Sequence, residues 1–219
     1  MSDKQKGQVY IAGLGLISSI GNDVESCIRS LRQEKDGIAP LTSLDSIYKN
    51  QLPVAAVNLS NEQLSSITGQ PASTSRTAML AIVAAREAWK DAGIRERNAL
   101  KTGLISSNSV GGMDKTENFY KSFLQNEKKG RLREVVNHEC GTVTEMVADD
   151  LGIHDYVSTI STACSSGANS IFFAARLIKH GFLDVAIAGG VDALTRFTLN
   201  GFNTLQILDR DKCTPMDEH

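Results

Sequence analysis

Between residues 75 and 190, short apolar β-type runs alternate with amphipathic helical stretches, and that alternation limits the chain to few architectures. Ser75 to Ala92 reads as a helix, with Ala78, Met79, Ile82, Val83, Ala85 and Trp89 on one face and Gly93 as its stop. Gly103-Leu104-Ile105-Ser106-Ser107 reads as a strand ending near Gly111-Gly112, with helices at 114–127 and 141–151. The β-branched run Tyr156–Ile160 turns through Ala163-Cys164-Ser165 into a helix over 165–180. Its expected apolar face is Ala168, Ile171, Ala174, Ala175 and Ile178, and Gly181 ends it. Leu183–Ala188 is a continuous apolar run, as expected of a strand buried on both faces. This order predicts βαβ units, and so an α/β fold with a mainly parallel sheet layered with helices.

The flanks are less regular. Residues 8–17 read as a strand running into Gly-rich backbone. Residues 22–33 read as a helix that Asn22 or Asp23 can cap, with Val24, Cys27, Ile28 and Leu31 at helical spacing. Residues 35–75 are loop-rich, with a short strand expected near Val54–Val57 and a short helix from Asn61.

Composition narrows the function. With 23 Lys+Arg against 25 Asp+Glu, the net charge of −2 argues against a nucleic-acid binder, which usually presents a basic face. The first residues lack the sustained apolar core of a secretory signal, and no long apolar run predicts a membrane span. Cys27, Cys140, Cys164 and Cys213 lack CxxC spacing, so no zinc ribbon or thioredoxin motif is expected. Reduced thiols in a cytoplasmic protein are the expectation.

Two segments carry candidate chemistry. Gly13-Leu14-Gly15-Leu16-Ile17-Ser18 is similar to a dinucleotide fingerprint, but Ser18 replaces the third Gly and no acidic strand end follows at the required distance. Small residues needed for close packing explain it better. The second segment is Ser161-Thr162-Ala163-Cys164-Ser165-Ser166-Gly167, between strand and helix. A nucleophile on such a sharp turn is aimed out of the sheet. The helix N-terminus favours a thiolate and offers N–H groups to an oxyanion. On spacing alone, a nucleophilic Cys164 and a buried structural one stand level. No base is evident among His138, His154, His180 and His219. His180 falls about 24 Å along the helix from Cys164 at 1.5 Å per residue.

At these residues the chain resembles the N-terminal half of a β-ketoacyl synthase of the elongating type, a thiolase-like fold. The resemblance rests on Val9–Gly15, Ala84–Gly93, Thr162–Gly167 and Ala188-Gly189-Gly190, and it covers residues 1–219 as one N-terminal domain. It implies that Cys164 accepts an acyl chain as a thioester from an acyl carrier protein, its backbone N–H forming half of an oxyanion hole. It implies decarboxylative Claisen condensation with a malonyl thioester, needing no metal or redox cofactor. The family's two catalytic histidines lie in a second half, to which nothing here corresponds.

Two departures stand out. Cys213-Thr214-Pro215-Met216-Asp217 resembles a family segment of the form Cys-Arg-Pro-Phe-Asp, with Thr214 and Met216 replacing Arg and Phe. The sequence stops at His219 inside that motif, so a fragment or one part of a split enzyme is expected. Many relatives place basic residues just before the long helix to dock the acidic carrier; here Asn61–Ser75 has none and Arg76 stands alone. Half of a two-half fold leaves an apolar layer uncovered, which predicts a homodimer or pairing with a complementary half. The competing expectations are a non-catalytic partner subunit, an inactive fragment, or an unrelated Cys hydrolase or acyltransferase.

Overall fold

The computed structural model describes residues 7–94, 99–211, 213, 214 and 216. The chain divides into two compact units, Met1–Gly15 with Asn61–Ala193, and Leu16–Ser60 with Leu194–His219.

The larger unit is built on three strands, β3 (Thr102–Ser107), β4 (Tyr156–Ile160) and β5 (Val185–Gly190). They run in the order β4-β3-β5, all parallel. The register pairs Gly103 with Tyr156 and Thr102 with Val185. Two aspartates tie the starts of the strands together: Asp155 accepts the Thr102 N–H at 2.9 Å, and Asp184 accepts the Lys101 N–H at 2.8 Å. The strand buried at every position is β3, whereas β5 is only half-buried. The expectation that the Leu183–Ala188 run would be buried on both faces is therefore corrected: its apolar continuity marks a flanking strand, and the central place belongs to β3.

Side chains on β3 alternate between two layers, as the period of a strand requires. Leu104 joins a core with Ala78, Ala81, Ile82 and Ala85 of α3 (Arg76–Ala92) and Val143, Val147, Ala148 and Leu151 of α5 (Cys140–Leu151). Ile82 is wholly buried there, worth about 1.5–3 kcal/mol on general transfer grounds. Ile105 faces the opposite layer, where Ala174, Phe173 and Leu177 of α6 (Ser166–Lys179) pack with Leu183 and Ile160. Ser75 caps α3 by accepting the Ala78 N–H at 3.3 Å, and Gly93 ends it in the left-handed conformation. The helices α2 (Asn61–Thr68) and α4 (Met113–Gln125) also belong to this unit.

Two further expectations are corrected. Residues 8–17 do not form a strand: Val9, Tyr10 and Ile11 are exposed, no described strand pairs with the segment, and its part up to Gly15 lies against α3. Gly13 and Gly15 press against the α3 backbone so closely that a Cβ on Gly13 would stand 2.5 Å from the Ala92 nitrogen. That supports close packing as the reason for the two glycines. The buried stripe of α6 is also rotated from the expected one. Ser166, Ser170 and Ala174 face inward, while Ala168 and Ile171 are exposed. The two serines satisfy carbonyls there: Ser166 donates to Ala163 O in the turn, and Ser170 Oγ lies 3.1 Å from Gly189 O of β5.

The smaller unit holds α1 (Val24–Arg32), a two-residue antiparallel pair of β1 (Ala39–Pro40) with β2 (Pro53–Val54), and α7 (Arg196–Thr204). Of the two candidate caps, Asp23 serves, accepting the Ser26 N–H at 2.6 Å. Leu41, Leu52 and Leu199 form the core of this unit. The Asn203 amide donates to the Tyr48 hydroxyl at 2.9 Å. His219, Pro215 and Asp217 lie outside the described residues.

Candidate active site

Parallel strands finish on the same side, so the carboxyl ends of β3, β4 and β5 bring three loops together. The loop after β4 carries Cys164. Chain direction reverses there within Ser161 to Ser165, where Ala163–Ser165 forms one 3-10 turn leading into α6. Ala163 holds φ +53°, a left-handed conformation that costs a non-Gly residue roughly 1–2 kcal/mol. Strain of this kind persists only when the surroundings over-determine it.

They do so through side chains. The Thr162 N–H donates to Ser166 Oγ at 2.8 Å, and Ser166 Oγ donates to the Ala163 carbonyl at 2.7 Å. Ser165 Oγ donates to the Thr162 carbonyl at 2.9 Å. The Asn169 amide, one turn along α6, donates to Thr162 Oγ1 at 2.9 Å and to Ser165 Oγ at 3.2 Å. Cys164 at the apex is exposed, not sealed among aliphatic neighbours. The first amides of a helix lack intrahelical partners, so this end of α6 offers donors to an anionic oxygen.

The head of α6 is also fixed to β5. Gly189 O accepts from Ser107 Oγ at 3.0 Å and lies 3.1 Å from Ser170 Oγ. A Cβ on Gly190 would approach Ser107 Oγ to 2.6 Å and Gly167 Cα to 3.2 Å. The missing Cβ at Gly190 therefore lets the strand end meet the head of α6 at backbone distance, whereas a Cβ on Gly167 would meet nothing within 4 Å.

The other two loops join the same edge. Asp192 accepts the Ser109 and Val110 N–H groups at 2.8 and 3.1 Å, tying the loop after β5 to that after β3. The Asn108 amide donates to the Cys140 carbonyl at 3.1 Å and its Oδ1 accepts the Gly111 N–H at 3.0 Å. Burial pushes the Cys140 thiol above the usual thiol range, helped by Asp192 and Glu139 and opposed by Ser161. Cys140 thus belongs to the wall behind the Cys164 turn. Sequence reading missed Asn108, Cys140, Asn169 and Asp192. Asn108 and Asp192 each follow a strand end directly or by one residue, which was a usable signal.

The histidines are dispersed. His138 Nδ1 lies 2.9 Å from Thr116 Oγ1. His154 sits in the turn that enters β4, and His180 is the C-terminal cap residue of α6. Among the described residues no histidine bonds Cys164. Arg76, the lone cation before α3, donates to Asn61 Oδ1 at 2.9 Å, and burial lowers its pKa. Among the described residues no cluster of His, Cys, Asp or Glu could hold a metal ion, and no helix is long and apolar enough to cross a membrane.

This arrangement, a parallel sheet with an exposed thiol on the strand-to-helix turn after β4, is the fold of ketosynthases in the thiolase-like class. It superposes on the ishigamide ketosynthase/chain length factor with a TM-score of 0.84 at 24% identity, covering 95% of this chain and 53% of that one. Residues 6–219 match the family described as "Beta-ketoacyl synthase, N-terminal domain", and the chain belongs to that family. It is 31% identical to 3-oxoacyl-(acyl-carrier-protein) synthase 2 of Coxiella burnetii over 93% of this chain and 50% of the relative. It is 30% identical to nodulation protein E of Rhizobium meliloti over 95% of this chain and 52% of the relative. The chain thus spans about half the length of the curated relatives it matches.

Proposed function

We propose that this chain supplies the acyl-accepting thiol of a ketosynthase. Cys164 takes an acyl group from an acyl carrier protein as a thioester. That thioester then undergoes decarboxylative Claisen condensation with a malonyl thioester in fatty-acid or polyketide synthesis. The observation that carries this reading is the exposed Cys164 on a strained, hydrogen-bonded turn at the head of α6. The Cys164 amide serves as one oxyanion donor. The histidines of the condensation step come from a complementary half or a second polypeptide, with which this chain pairs. A cytoplasmic location fits four free thiols.

The carrier's acidic surface needs a basic counterpart. Arg76 is held by Asn61, whereas Lys128, Lys129, Arg131 and Arg133 after α4 are exposed. This exposed, Lys- and Arg-rich loop is the counterpart we assign to the carrier. A non-catalytic partner subunit would have the same fold but no use for an exposed thiol at this turn.

The test is incubation with an acyl thioester followed by peptide mass spectrometry. Acylation of Cys164, lost in Cys164→Ala, is the expected result. Equal, slow modification of Cys27, Cys140, Cys164 and Cys213 would sink the reading.

A further inference from the structure

We propose that Ser166 is the positioning residue of the thioester site: it aims the Cys164 amide at the acyl carbonyl oxygen by clamping the other end of the same peptide unit. The inference rests on Cys164 being the acyl acceptor. In a trans peptide, the carbonyl oxygen and the amide hydrogen point to opposite sides of one rigid plane. The peptide in question is Ala163–Cys164. Its oxygen receives the Ser166 backbone N–H and, at 2.7 Å, the Ser166 hydroxyl. Ser166 is 5% exposed, so the oxygen is turned toward the fold and the Cys164 N–H away from it.

The same hydroxyl accepts the Thr162 N–H at 2.8 Å. One oxygen atom therefore grips the chain on both sides of Ala163, whose φ is +53°. Its donor and one of its two acceptor lone pairs are committed to neighbouring backbone, which holds it as a fixed strut and not a rotor. A carbonyl that accepts two hydrogen bonds also polarises its peptide, making the N–H a better donor.

The step that uses this is acyl transfer. Ionised Cys164 Sγ attacks the thioester carbonyl carbon and forms a C–S bond. The carbonyl π pair moves onto oxygen, which faces the Cys164 N–H. Collapse restores the carbonyl and breaks the bond to the departing thiolate, which takes a proton from solvent. Nothing is oxidised or reduced. Alkylation of the same sulfur by iodoacetamide, with iodide leaving, builds no oxyanion and so does not need the aimed amide.

The experiment follows acylation by the N-acetylcysteamine thioester of hexanoate and, in parallel, alkylation by iodoacetamide, both by intact mass. Ser166→Ala should acylate about 10- to 100-fold more slowly, less than the roughly 100- to 1000-fold cost of losing an oxyanion donor outright because the amide stays and is only misaimed, while alkylation changes less than about twofold. Ser166→Thr, which keeps the hydroxyl, should restore acylation. Asn169→Ala removes two bonds from the same turn without touching the Ala163 carbonyl and should acylate faster than Ser166→Ala. Acylation and alkylation falling in equal proportion in Ser166→Ala, or Ser166→Ala matching Asn169→Ala, overturns the clamp. An unsubstituted chain that is alkylated at Cys164 but never acylated overturns the thioester reading itself, and the clamp with it.

Discussion

Gly15 lies against the Ala84 carbonyl oxygen so closely that a methyl group on it would overlap that atom and stand 2.7 Å from the Ala88 nitrogen. Both obstacles are helix backbone, which cannot move aside as a side-chain tip can. Gly15→Ala should therefore lower stability by about 3 kcal/mol or more, the upper range for overpacking. Gly201, inside α7, meets nothing within 4 Å, and Gly201→Ala should raise stability by about 0.5–1 kcal/mol through helix propensity. Urea midpoints of the two variants should move in opposite directions.

Strain at Ala163 separates stability from activity. Ala163→Gly relieves the left-handed conformation and should stabilise the fold by up to about 1 kcal/mol, less the extra unfolded-state freedom of Gly. The same freedom loosens the turn, so acylation of Cys164 should slow while the melting temperature holds or rises.

Cys140 offers a pH readout. Burial, then Asp192, disfavours its thiolate, so its alkylation by iodoacetamide should rise only at pH above the ordinary thiol range. Asp192→Asn removes the second of these causes and should shift that rise to lower pH. The raised value also carries a stability sign. The neutral thiol favours the folded state below the unfolded pKa, and that contribution is lost as pH climbs through the folded one. Peptide-resolved alkylation between pH 7 and 10 checks both.

Arg86 on α3 grips Asp150 on α5 through two parallel bonds, 2.8 and 2.6 Å, and donates further to the Ile67 and Thr68 carbonyls. The Asp150 side chain is only 6% exposed. Arg86→Ala leaves that carboxylate unpaired and should cost about 1–3 kcal/mol. Arg86→Lys should recover little of it, because an ammonium cannot supply the planar fork. Denaturant unfolding of the two variants is the measurement.

The sequence made the larger unit legible where period and punctuation agree. The α3 helix has its Ser75 cap, its apolar face and its Gly93 stop within one window, and all three stand in the structure. The strands β3, β4 and β5 fell near their expected positions because each is a short apolar run between turn residues. Residues 8–17 misled because an extended apolar segment against a helix has the same alternation as a strand. The inner stripe of α6 misled because its first turns face inward with Ser166 and Ser170, and aliphatics take over only from Ala174. The strand-to-helix turn that carries Cys164 was legible from its local punctuation, but Asn108, Cys140 and Asp192 meet only through the parallel ordering of strands distant in sequence.

Apolar residues on both sides of α6 have a consequence for the sulfur at its head. Ala174 and Leu177 point one way, whereas Ile171 and Phe172 stand 55% and 60% exposed on the other. Ile171 lies in the second turn of α6, the helix that Cys164 leads into. On the proposed reading, a partner that covers Ile171 and Phe172 would exclude water from the same helix end and so strengthen the dipoles aimed at the thiol.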